Sequence, residues 1–144
     1  MEKPKTIDNE IFTSILAESW DAATSASPEQ WSEANRALGQ CAVTACVVQD
    51  YMGGDIFNTT ATLPDGSTNS HYYNSIASKE EDYTRSQFPD ATTYSAGVPK
   101  TVGRDGTEYG STREYILSFP IVAGRYHVLK ARVDDRIKRA MLSS

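Results

Sequence analysis

The sequence predicts an α+β fold: N-terminal helices, a central buried helix packed on a small antiparallel sheet, and a C-terminal amphipathic helix. Three observations carry it. From Cys41 through Val47 and Val48 to Tyr51 the chain is apolar nearly all round, as a helix enclosed by other elements must be. Residues 55–63 and 70–74 read as strands, separated by the turn sequence Pro64-Asp65-Gly66-Ser67. Behind Pro120, the residues Val122, Tyr126, Leu129, Val133, Ile137 and Met141 recur at steps of three or four, an apolar stripe with charges on the other faces.

The remaining elements follow in order. Asp8 is placed to cap a helix running to about Trp20, with Ile11, Ile15, Leu16 and Trp20 toward one side. Residues 22–29 form a connecting loop, in which Ser27-Pro28-Glu29 starts a short helical turn toward Trp31, and residues 35–38 deliver the chain to Cys41. Gly53-Gly54 stops the central helix. After a polar turn at residues 77–80, a third short strand is expected at 81–84. Residues 95–110, which hold Gly97, Pro99, Gly103, Gly106 and Gly110, read as a long loop, either plain surface or a lid.

Composition limits the function classes. A chain of 144 residues, 39% hydrophobic and 23% charged, suits one domain spanning 1–144 with a single core. Its net charge of −5 argues against general nucleic-acid binding, which calls for a basic face. Residues 121–144 nonetheless hold six of the fourteen Lys and Arg, so a basic helix should lie on an acidic body. There is no secretory apolar core and no run long enough for a membrane span, so the expectation is a cytoplasmic protein with no membrane role. Cys41 and Cys46 would lie about 140° apart around one helix, so reduced thiols are expected rather than a disulfide. No metal-ligand spacing, P-loop or GxGxxG is present, and no metal or cofactor is expected.

The candidate chemistry centres on Cys41. A first helical turn leaves backbone N–H groups without intrahelical partners at the positive end of the helix dipole, which favours thiolate and offers donors to an oxyanion. His71 follows on the second strand and Asp82 on the third, so antiparallel pairing places them opposite or diagonal to each other. Asp82 competes with Glu80, Glu81 and Asp90; a short carboxylate on a strand is the stiffer orienting group. Gln40 is a candidate second oxyanion donor, or it shapes the loop. Cys46, more than a turn inside the helix, reads as a small core residue, and His127 as exposed.

The run from Gly39 through Ala45, then Val47-Val48-Gln49-Asp50, Gly53-Gly54, Ile56, His71-Tyr72-Tyr73-Asn74, Asp82, Thr84 and Gln87-Phe88 resembles the small bacterial YunG-like proteins. The resemblance spans roughly residues 35–90, is weaker around Arg125-Tyr126 and Leu129, and carries over Cys41, His71 and Asp82 as the polar site. The sequence departs from that pattern in two places: Tyr73 stands where tryptophan is common, and Ser78-Lys79-Glu80 replaces an Asp-Gly turn. More broadly, a helix-borne cysteine followed by histidine and aspartate on strands is similar to the papain-like and transglutaminase-like cysteine-hydrolase core.

Together these readings lead to a thiol-dependent hydrolase or acyltransferase, with Cys41, His71 and Asp82 as a catalytic triad acting on an acyl or peptide substrate. The alternative is a binding or regulatory protein on the same scaffold, without turnover. A redox-sensing Cys41 is a third possibility, needing the same activated thiol but forming no acyl-enzyme.

Overall fold

The computed structural model describes residues 8–143. Asp8 caps α1 (Asn9–Ser19), its carboxylate accepting the Ile11 N–H at 2.8 Å. Phe12, Ile15, Leu16 and Ser19 form the buried stripe, the i, i+3, i+4, i+7 set of one helix face. Ile11, expected on that side, sits on its flank and is 42% exposed.

A short 3-10 turn (Ala22–Thr24) and an irregular segment lead to α2 (Cys41–Met52). That segment is tied down by side chains. Trp31 Nε1 donates to the Arg36 carbonyl (2.9 Å), and Arg36 in turn donates to the carbonyls of Ala17 (3.0 Å) and Trp20 (2.8 Å). Helix α2 is the centre of the core. Val43, Cys46, Val47 and Val48 pack among Phe12, Leu16, Ile56, Leu129 and Val133, and each fully buried valine contributes roughly 1.5–3 kcal/mol.

The sheet is antiparallel with strand order β3-β2-β1-β4, comprising β1 (Asp55–Thr62), β2 (Thr68–Ile76), β3 (Lys79–Glu81) and β4 (Thr93–Tyr94). His71 and Asn74 are both buried though three residues apart, so β2 is covered on both faces. On one face the Asn74 amide donates to the Ala45 carbonyl at 2.9 Å and joins β2 to α2. On the other, His71 meets Phe88 and Tyr94.

The third strand occupies residues 79–81 rather than 81–84. Ala77 and Ser78 alone make the turn, at φ +52° and +65°, a left-handed pair normally filled by Asn-Gly. Within residues 95–110 the chain is fastened to its surroundings. Val98 exchanges two backbone hydrogen bonds with Asn58, Ser95 N–H donates to the Thr60 carbonyl, and Val102 bridges to Glu108.

A short helix α3 (Thr112–Leu117), absent from the sequence expectation, is capped by Ser111, which accepts the Glu114 N–H at 3.1 Å. Its signal was the Ser-Thr-Arg-Glu spacing of a capping box. Helix α4 (Pro120–Ser143) then buries Tyr126, Leu129, Val133 and Ile137, whereas Met141 is 44% exposed. Its basic face lies against acids near α1, through Arg132–Asp21 at 2.9 Å and Arg136–Glu18 at 4.0 Å. Among the described residues no helix is long and apolar enough to cross a membrane.

Candidate active site

Three chain segments converge on Cys41: the loop before α2, the middle of β2, and the segment after β3. The loop turns at Gly39, whose φ of +73° suits glycine. A Cβ there would stand 2.4 Å from Ser25 Oγ and 2.8 Å from the Ala26 nitrogen, so only a hydrogen fits. Gly39 N–H donates to Gln87 Oε1 at 3.3 Å and its carbonyl accepts the Ala26 N–H at 2.9 Å. Gln40 is the N-cap residue of α2 but makes no side-chain capping bond, leaving the first-turn donors uncapped around Cys41.

His71, opposite Thr59 in the β1–β2 ladder, is fully buried. Its Nε2 lies 2.7 Å from Asp82 Oδ2. The ring is walled by Phe88 and Tyr94, with centroids 5.1 and 5.9 Å away. Nδ1, on the other side of the ring, makes no hydrogen bond of ordinary geometry. Cys41 stands close enough to raise the imidazole's affinity for a proton, through hydrogen bonding and through its charge when ionised. Burial works against a charged imidazole, but Asp82 and Cys41 outweigh it and bring the His71 pKa up to about 9.

Asp82 stands one residue beyond β3 rather than on a strand. Its carboxylate is 5% exposed and fully engaged: Oδ1 accepts the Thr84 N–H at 3.2 Å, and Oδ2 accepts from Arg85 Nε at 2.9 Å as well as facing His71. Burial would raise its pKa, but His71 and Arg85 together hold it below the usual carboxylate range. Arg85 also reaches Glu80 at 3.1 Å and lies 3.9 Å over the Tyr94 ring.

Cys41, His71 and Asp82 are thus brought together. Gln40 Nε2 donates instead to the Asp21 carbonyl at 3.1 Å, and its Oε1 is buried without a partner. Cys46 is fully buried in the core, where burial pushes its thiol pKa up to about 12. His127 is exposed beside Tyr126. Sequence reasoning missed Arg85, Phe88 and Tyr94 as site residues. No local pattern announced any of them: in extended chain residues three apart turn to opposite sides, and Arg85 meets Asp82 only because the chain turns after β3. Among the described residues no three His, Cys, Asp or Glu side chains gather as metal ligands.

Cys41 opens onto a cleft of about 330 Å³, lined by Leu38, Ala42, Leu63, Tyr72 and Phe88 with Asn69, Ser70 and Gln87, and by no charged side chain. A thiol at a helix start, an adjacent imidazole and a buried carboxylate form a set able to move a proton off sulfur and hold it on His71.

Residues 8–138 match the YunG protein family. The uncharacterized protein YunG of Bacillus subtilis (strain 168) is 40% identical over 74 residues, a stretch covering 51% of this chain and 57% of that protein. No solved structure matches this one. With the family match running from α1 into α4, the chain belongs to the YunG protein family.

Proposed function

We propose that this protein is a thiol-dependent hydrolase or acyltransferase acting on an amide, isopeptide or ester, with a papain-like arrangement of Cys41, His71 and Asp82. The observation that carries the proposal is the buried 2.7 Å contact of His71 and Asp82 beside a helix-start cysteine in an uncharged cleft. Cys41 Sγ, its proton on His71, attacks the carbonyl carbon, and the oxygen takes the electron pair. The Cys41 backbone N–H, at the uncapped start of α2, faces the developing charge. As the tetrahedral state collapses, His71 gives the proton to the leaving nitrogen or oxygen and a thioester remains. Water or an amine then adds to the thioester, His71 takes its proton, and the thiolate leaves. Asp82 keeps its negative charge throughout and orients the ring. Gln40, its amide bonded to Asp21, acts as the loop's framework in this scheme.

Incubation with p-nitrophenyl acetate tests the proposal. An acetyl group on Cys41, located by mass spectrometry, is expected in the wild type and lost in His71→Ala. Equal acetylation of wild type, His71→Ala and urea-unfolded protein would contradict it. The second reading, a binding protein without turnover, is favoured by the absence of an aligned hydrogen bond at His71 Nδ1. It predicts no thioester under the same conditions.

A further inference from the structure

One wall of the Cys41 cleft is an unpaired strand edge. Strand β3 pairs with β2 only at Asn74, Ser75 and Ile76, so residues 68–73 have no strand on that side. The atoms facing outward are fixed by β1. Asn58 donates its N–H to Val98 (2.7 Å) and accepts the Val98 N–H (3.0 Å), so it points both groups away from β2. Its partner Tyr72 therefore sits in a non-hydrogen-bonded pair and turns its own N–H and C=O away from β1. The same holds one step along. Thr60 accepts the Ser95 N–H at 3.0 Å and donates to Ser95 Oγ at 2.9 Å, so Ser70, opposite it, also faces outward. Among the described residues neither backbone has a hydrogen-bond partner on that side, and both residues line the cleft with Cys41.

An extended peptide presents N–H and C=O groups at this two-residue spacing, and adding a strand to an open edge is a general mode of peptide recognition. Apart from the Cys41 sulfur, which is turned to the acyl carbon, the lining residues offer no counter-charge, so a charged side chain entering the cleft would lose its hydration uncompensated, whereas an apolar one would meet Leu38, Leu63 and Phe88. We infer that the open edge at Ser70 and Tyr72 holds the main chain of a polypeptide substrate as an added strand, so that the acyl donor brought to Cys41 is a peptide segment with an uncharged side chain. The inference rests on the thiol chemistry proposed above and narrows its substrate class from amides in general to extended peptides.

The test compares alkylation of Cys41 by chloroacetone with alkylation by N-acetyl dipeptidyl chloromethyl ketones ending in Ala, Val, Leu, Phe, Asp or Lys. In each case Sγ bonds to the methylene carbon as chloride departs with the C–Cl electron pair. At least one apolar peptide reagent should react about tenfold faster than chloroacetone or more, with the Asp and Lys reagents slower than the apolar ones; one edge hydrogen bond accounts for about that factor. Methylating the peptide nitrogens in turn should abolish the acceleration at one of them. Proline at an edge removes an outward N–H without disturbing the inner ladder. The peptide-to-chloroacetone rate ratio should therefore fall about tenfold in Ser70→Pro relative to Ser70→Ala. If no peptide reagent outpaces chloroacetone, or if the acceleration survives every N-methylation, strand addition is overturned while the thiol chemistry stands. A Cys41 unreactive even toward chloroacetone at neutral pH would remove the thiol reading and this inference with it.

Discussion

His71 Nε2 and Asp82 Oδ2 face each other at 2.7 Å with their side chains 0% and 5% exposed, so the pair is bonded where water does not compete. The imidazole pKa, pulled down by burial but raised more strongly by Asp82 and Cys41, reaches about 9 from an ordinary 6.5. A histidine raised in the folded state stabilises it fully below 6.5, and the stabilisation is lost as pH climbs through about 9. Asp82 is lowered, so its contribution is present above the ordinary 3.8 and is lost as pH falls through the depressed value. With Cys41 replaced by Ser, so that no thiol proton exchanges with the imidazole, the urea midpoint should decline as pH rises above 6.5, and the double variant Cys41→Ser/His71→Gln should lack that decline. A Cys41→Ser midpoint flat above pH 6.5 would count against a charged, bonded His71.

Arg85 shares Asp82 with His71 and stacks on Tyr94. Its side chain is 42% exposed, so solvent screens the contact, and Arg85→Ala should cost about 1 kcal/mol in chemical denaturation. A role in tuning Asp82 predicts a second effect. With one of its two lowering partners gone, the carboxylate protonates at higher pH, so the acid limb of Cys41 alkylation should move upward in Arg85→Ala and stay near wild type in Arg85→Lys. A stability loss with an unchanged pH profile would make Arg85 a purely structural group.

Gly39 sets the approach of the chain to Cys41. Alanine there would hold a left-handed backbone and drive its Cβ to 2.4 Å from Ser25 Oγ and 2.8 Å from a backbone nitrogen. Gly39→Ala should lose at least about 2 kcal/mol in thermal or urea unfolding, and Cys41 alkylation at pH 6 should slow in the folded fraction. Wild-type stability in this variant would contradict the tight turn.

Arg113 supplies a control remote from the cleft. It pairs with Asp50 at 2.9 Å and donates to the Cys46 carbonyl and the Tyr126 hydroxyl, fixing α3 and α4 to α2. Arg113→Met should cost about 2 kcal/mol because it strands a partly buried carboxylate. The pH dependence of Cys41 alkylation should not move. A shifted profile would show that the site depends on the far end of α2.

The elements legible in the sequence were those whose signals are local. Asp8 as a cap, the all-round apolar α2 and the turn residues 64–67 each act within a few positions, and α1, α2, β1 and β2 lie within a few residues of their expected bounds. What escaped depended on distant partners. The two-residue turn at Ala77-Ser78 uses left-handed conformations these residues seldom take, which hid the register of β3 and put Asp82 just past the strand. Strand β4 is two residues long and exists because Ala61 and Thr62 pair with it, and Val98 is held by Asn58, forty positions away in sequence. In the candidate site, the choice of Asp82 rested on a chemical type and a spacing. The aromatic walls of His71 come from residues 88 and 94, whose positions depend on that unread register.

The joint action proposed for Cys41 and His71 is checked by the alkylation rate of Cys41 by iodoacetamide from pH 4 to 10, in wild type and His71→Ala. With the modified residue located by mass spectrometry, the wild type should show a reactive plateau extending well below pH 7 that disappears in the mutant. A rate that rises only near about pH 8.5 and is the same in both proteins, as for an isolated thiol, would contradict the account.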